Sequence, residues 1–130
     1  MINNPIIYQV YVDAFARGSS NGSPGRKRGG DLEGATERLD YVAGLGADAV
    51  WLTPIFASPS DHGYNITDYF HVDHRLSPDG QDPDALFGGF VERAHALGLG
   101  VLLDLPLNHV GHGYDLASVG GVEEPPRLRP

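Results

Sequence analysis

Three short apolar runs alternate with two amphipathic stretches, and the links between them are long in one direction and short in the other. Residues 6–12 (IIYQVYV), 49–52 (AVWL) and 101–105 (VLLDL) read as strands. Between them, Leu32, Ala35, Leu39, Val42 and Leu45 recur at helical spacing, and so do Leu86, Phe87, Phe90, Val91, Ala94 and Leu97. Asp31 stands where an N-cap belongs, and Asp82-Pro83 supplies a cap followed by a proline at the first helical position. Gly46 and Gly98 close the two helices. The order is βαβαβ, with strands so continuously apolar that burial on both faces is expected. Such units form a parallel sheet with right-handed crossovers. Helix-to-strand links are residues 46–48 and 98–100, whereas the strand-to-helix loops are long and hold most of the unusual polar residues. In parallel α/β folds those loops lie at the C-terminal ends of the strands, where active sites form. The stretch VLLDLPLNHVGH therefore brings Asp104, Asn108 and His109 to that edge. Burying them without partners would be costly, so they either cap the strand or face a site.

Several function classes drop out on composition. With 130 residues, 41% of them hydrophobic, the chain suffices for one ordinary domain with a core. A net charge of −8 argues against nucleic acid and anionic membrane as partners. The basic cluster Arg26-Lys27-Arg28 sits in a Gly/Ser/Pro-rich stretch and reads as a solvated loop. Without cysteine there is no disulfide, thiolate zinc site or thiol nucleophile. MINNPIIYQVYV lacks a basic start and a long apolar core, and no segment has membrane-spanning length, so a soluble, cytoplasmic protein is expected. The first long loop has glycines but neither G-x-G-x-x-G nor G-x-x-x-x-G-K-[ST], and the nucleotide-binding reading fails.

Four segments then arrive in a recognisable order: YQVYVDAFA on the first strand, WLTPIF on the second, the HGY…DY loop, and D-x-x-x-N-H at the third. Together they resemble the start of an alpha-amylase-type glycoside hydrolase, family 13 of the glucan-active enzymes, over roughly residues 5–111. The resemblance implies an α/β fold, the N-terminal βαβαβ portion (about three of eight strands) of a (β/α)8 TIM barrel, with the site on its top face. It also implies an inserted domain after the third strand. Residues 1–111 would be the partial catalytic domain, and residues 112–130 the start of that insertion or a truncated tail.

The resemblance also implies roles for individual residues. His109 would donate to a hydroxyl of the sugar on the non-reducing side of the cleaved bond, and Tyr64 would stack on the same sugar. Asp104 would brace the hydrogen-bond network without performing chemistry, and His62 and Asp68 would support the site. Asn108 would tie the barrel rim to the insertion. In many family members its amide oxygen is a calcium ligand, but calcium needs several oxygens, so no metal or cofactor is assigned to this chain and calcium through Asn108 is left to a full-length enzyme. Asn65 stands where exo-acting alpha-glucosidases carry an aspartate. Trp51, in mid-strand, reads as core.

Retaining glycosidases need two carboxyl groups about 5–5.5 Å apart. In this family they follow strands four and five, beyond these residues, so no catalytic residue is assigned. Glu33, Glu37 and Glu92 fall on helices, and Glu123 and Glu124 in a proline-rich tail. The implied function is a fragment of a retaining alpha-glucan enzyme that supplies part of a sugar subsite for alpha-glucan or maltooligosaccharide. Bond type and oligomeric state stay open. One alternative is a non-catalytic sugar-binding half-barrel that self-associates through its open sheet edges. Another is a metal-dependent hydrolase using His71, Asp73 and His74.

Overall fold

A computed structural model describes residues 4–19 and 28–114. Strand β1 (Ile7–Val10) leads into a one-turn helix α1 (Val12–Phe15), then α2 (Leu32–Glu37), α3 (Leu39–Gly44) and strand β2 (Ala49–Leu52). A two-stranded hairpin of β3 (Phe56–Ala57) and β4 (Asp68–Val72) follows, then a 3-10 turn (His74–Leu76), helix α4 (Pro83–Ala96) and strand β5 (Gly100–Leu103). Strands β1, β2 and β5 form one parallel sheet in that order, with Val10 opposite Leu52 and Leu52 opposite Leu103.

The sheet is covered on one face only. Val10, Val50 and Leu52 point to the helices and join Leu32, Ala35, Leu39, Val42, Phe90 and Ala94 in the core. The alternate residues Gln9, Trp51 and Leu102 lie side by side in register on the other face, and all three are exposed. Trp51, expected in the core, is 37% exposed among the described residues, on the sheet face that the helices leave uncovered. Apolar runs without alternation mark strands destined for burial on both sides, but these helices supply one side.

Capping follows the sequence signals. The Asp31 carboxylate accepts from Gly34 N–H at 2.7 Å, and that of Asp82 from Asp84 N–H at 3.0 Å. Gly46 and Gly98 take positive φ, at 82° and 77°, immediately after the helices they end. Three elements depart from the sequence reading. The first strand stops at Val10, because Ala14 N–H donates to Tyr11 and the buried Asp13 carboxylate accepts from Arg28 and Gly29, folding residues 12–15 into a turn. Tertiary contacts here override the β propensity of the run. The first helix breaks at Arg38, two residues beyond a Thr36 hydroxyl that donates back to the Leu32 carbonyl at 2.7 Å, a contact that bends helices. The second long loop holds the hairpin. Of the basic cluster only Arg28 is described; its guanidinium sits 5.7 Å from the Tyr11 ring centre. The segment proposed as an insertion or tail lies outside the described residues beyond Tyr114.

Candidate functional site

The C-terminal ends of the three parallel strands converge with the loops that follow them. Asp104 continues the ladder, donating its N–H to Leu52 at 3.0 Å, so its side chain leaves the sheet at a fixed point. There it meets Tyr64, carried in by the loop after β2, whose hydroxyl donates to the Asp104 carboxylate at 2.7 Å. That hydrogen bond is the main reason the phenol is pushed above its ordinary value, with desolvation and the carboxylate charge adding to it. The Tyr64 hydroxyl therefore stays protonated and remains a donor. The Tyr64 ring is partly exposed, and the His62 ring lies beside it with centres 5.9 Å apart.

His109 reaches the same tyrosine from the third loop. Its Nε2 lies 2.9 Å from the Tyr64 carbonyl, and its Nδ1 lies 2.9 Å from the Asn108 side-chain oxygen. A carbonyl only accepts, so Nε2 carries a proton. A neutral ring then accepts at Nδ1, which requires the Asn108 amide to present its NH2 group by a half-turn. Both ring nitrogens are engaged within the protein.

Two further contacts fix the third loop. The Tyr69 hydroxyl, on the hairpin, donates to the Pro106 carbonyl at 2.6 Å and lies 3.1 Å from that of His109. Gly111 N–H donates to the Ile66 carbonyl at 2.7 Å, and the approach is so close that a Cβ there would stand 2.4 Å from the Asn65 carbonyl oxygen. The structure thus brings together Tyr64, His62, Asp104, Asn108 and His109. Asp68 is engaged with the hairpin instead, accepting from Phe70 N–H at 2.8 Å and facing His71 Nδ1 at 2.7 Å.

Metal chemistry finds no support in the arrangement. Asp73 is held by the Arg75 guanidinium at 3.0 and 2.8 Å, and His71 is turned to Asp68. No group of three or more ligating side chains is present among the described residues. The Asn108 side chain lies against His109 Nδ1 at 2.9 Å. A groove of about 650 Å³ lies elsewhere, between α2 and α4, lined by Glu33, Thr36, Leu86, Gly89 and Arg93. It belongs to the helical layer, away from the strand ends.

Two contributors were not singled out in the sequence. Arg75 donates to the Ser58 and Ser60 carbonyls of the loop that carries Tyr64, and the Tyr11 hydroxyl donates to the Asp61 carbonyl at 2.8 Å. The only sequence signal for Arg75 is a basic residue two positions from an aspartate in an acidic chain.

Comparison with known proteins agrees with this fold. The family described as "Alpha amylase, catalytic domain" matches residues 9–121. The intracellular maltogenic amylase of Bacillus subtilis (strain 168) is 37% identical over 123 residues, covering 85% of this chain and 20% of that protein. A probable alpha-glucosidase of Rhizobium meliloti (strain 1021) is 43% identical over 105 residues, covering 80% of this chain and 17% of the relative. Among solved structures, the alpha-amylase from Geobacillus thermoleovorans, complexed with acarbose, superposes with a TM-score of 0.72 at 37% identity, over 85% of this chain and 24% of that one. The chain spans about a fifth of the length of the curated relatives it matches. Its three parallel strands are part of a (β/α)8 barrel.

Proposed function

The chain belongs to the alpha-amylase catalytic-domain family, and we propose that it forms part of a subsite for an alpha-linked glucose unit without supplying the bond-breaking groups. The observation that carries this reading is the double clamp on Tyr64. Its hydroxyl is tied to Asp104 and its carbonyl to His109, leaving an aromatic ring fixed and partly open at the strand ends. A pyranose presents C–H groups on its face, which pack well on an aromatic ring held in place beforehand. Hydroxyls at the ring edge then find donors and acceptors in His109, His62 and Asp104. The natural ligand in this reading is an alpha-glucan or maltooligosaccharide.

Cleavage asks for more. A retaining glycosidase needs a nucleophile and a proton donor flanking the bond about 5–5.5 Å apart. Asp104 is bound to the Tyr64 hydroxyl at the strand end. We assign it a bracing role. No helix of the described residues is long and apolar enough to cross a membrane, which is compatible with a cytoplasmic location. A chromogenic maltoside incubated with the purified chain, beside Asp104→Asn, tests the division of labour. Wild type and variant should both release dye at the buffer rate. Turnover by the wild type that vanishes in the variant would make Asp104 catalytic and overturn the assignment.

A further inference from the structure

The loop that carries Tyr64 runs through residues 58–64 with no regular hydrogen-bond ladder of its own, so something else must hold it. The hairpin provides an anchor. Asp73 has a side chain only 2% exposed, and its N–H donates to the Ile55 carbonyl at 2.8 Å, so the carboxylate is fixed to the core. Arg75 grips that carboxylate with both prongs of its fork, Nε at 3.0 Å from Oδ1 and Nη2 at 2.8 Å from Oδ2. The same Nη2 reaches the carbonyls of Ser58 and Ser60, the latter at 3.2 Å, while Nη1 faces Asp61 at 3.8 Å.

From Ser60 the connection continues into the site. The Ser60 hydroxyl lies 3.4 Å from His62 Nδ1, and that nitrogen accepts from Tyr64 N–H at 3.1 Å. We propose that Arg75 is a positioning residue: its guanidinium bridges the buried Asp73 to the Ser58 and Ser60 carbonyls, and so sets where His62 and Tyr64 stand for the sugar. The proposal rests on the subsite reading above for its ligand but not for its geometry. The bridge needs a planar fork. A lysine keeps the charge and can still pair with Asp73, but a single ammonium cannot grip the carboxylate from two sides and also span two carbonyls. Preorganisation of this kind acts on affinity, because a loop already in place does not have to be ordered when ligand arrives.

Arg75→Lys in the full chain separates positioning from general support of the fold. Amide hydrogen exchange is followed by NMR, with maltotriose titrated into wild type and variant. The expected result is exchange roughly tenfold faster at His62, Tyr64 and Asn65, with Val50 and Val101 in the sheet unchanged. Maltotriose should then bind roughly fivefold more weakly while moving the same resonances. Unchanged exchange at residues 62–65 would overturn the proposal. A loosened loop in a protein whose wild type ignores maltotriose would uphold the positioning role and remove the subsite reading. If the variant does not fold, the wild type decides: the Arg75 Nε–H must exchange as slowly as Tyr64 N–H, and a fast-exchanging Nε–H overturns the bridge.

Discussion

Tyr64 shows how far a single residue was legible. Its presence in HGY and its place after the second strand pointed to the site, and the structure puts its hydroxyl on Asp104, forty residues away. The partner was not readable from spacing, because it depends on which strand lies beside β2. Asp68 shows the opposite case. The sequence set it beside the site, whereas it faces His71 on the hairpin. Burial pushes the Asp68 carboxyl up, but the Phe70 N–H and the His71 ring outweigh this and the net direction is down. His71 is raised, chiefly by the hydrogen bond to Asp68 and next by its charge. A raised histidine stabilises the fold below its unfolded value and loses that contribution as pH climbs through its folded one. A lowered carboxylate contributes above its unfolded value and loses it as pH falls through its folded one. The pair is thus most favourable in mildly acid solution. NMR titration should place His71 above the ordinary imidazole value of 6.5, and Asp68→Asn should bring it down. Identical titration curves would show that the contact does not hold in solution.

Among the elements, helices were read best. Caps at Asp31 and Asp82 and stops at Gly46 and Gly98 are local chemistry, and local chemistry is what a sequence displays. The hairpin was missed, although Asp68–Val72 (DYFHV) has the β-rich composition of a strand, because its partner Phe56–Ala57 is only two residues long. What the hairpin does is equally non-local. It lends Tyr69 to the third loop and lets Gly111 pass against Ile66. Gly111→Ala tests that packing. A methyl 2.4 Å from a backbone oxygen cannot be relieved by turning a side chain, so the two loops must part. The expected cost is about 1–3 kcal/mol in urea unfolding, with the Tyr64 and His109 resonances displaced. A variant as stable as wild type with an undisturbed spectrum would contradict the contact.

At the scale of the whole molecule, the asymmetry of the links pointed to the strand ends as the place for a site, and the structure gathers Tyr64, Asp104 and His109 at that edge. Burial was the part that the sequence could not convey. Ile7, Trp51 and Leu102 share the uncovered face of the sheet, the face that points inward in a closed barrel. An apolar strand looks the same whether its second face meets helices or other strands, so Trp51 read as core and stands exposed. The central claim is that the strand ends of this chain hold a sugar. Intermolecular NOEs between maltotriose and the protein test it directly. The account predicts contacts from pyranose C–H protons to the Tyr64 ring and to His109, lost in Tyr64→Ala. Contacts confined to the groove lined by Glu33, Leu86 and Arg93, or no contacts at millimolar sugar, would contradict it.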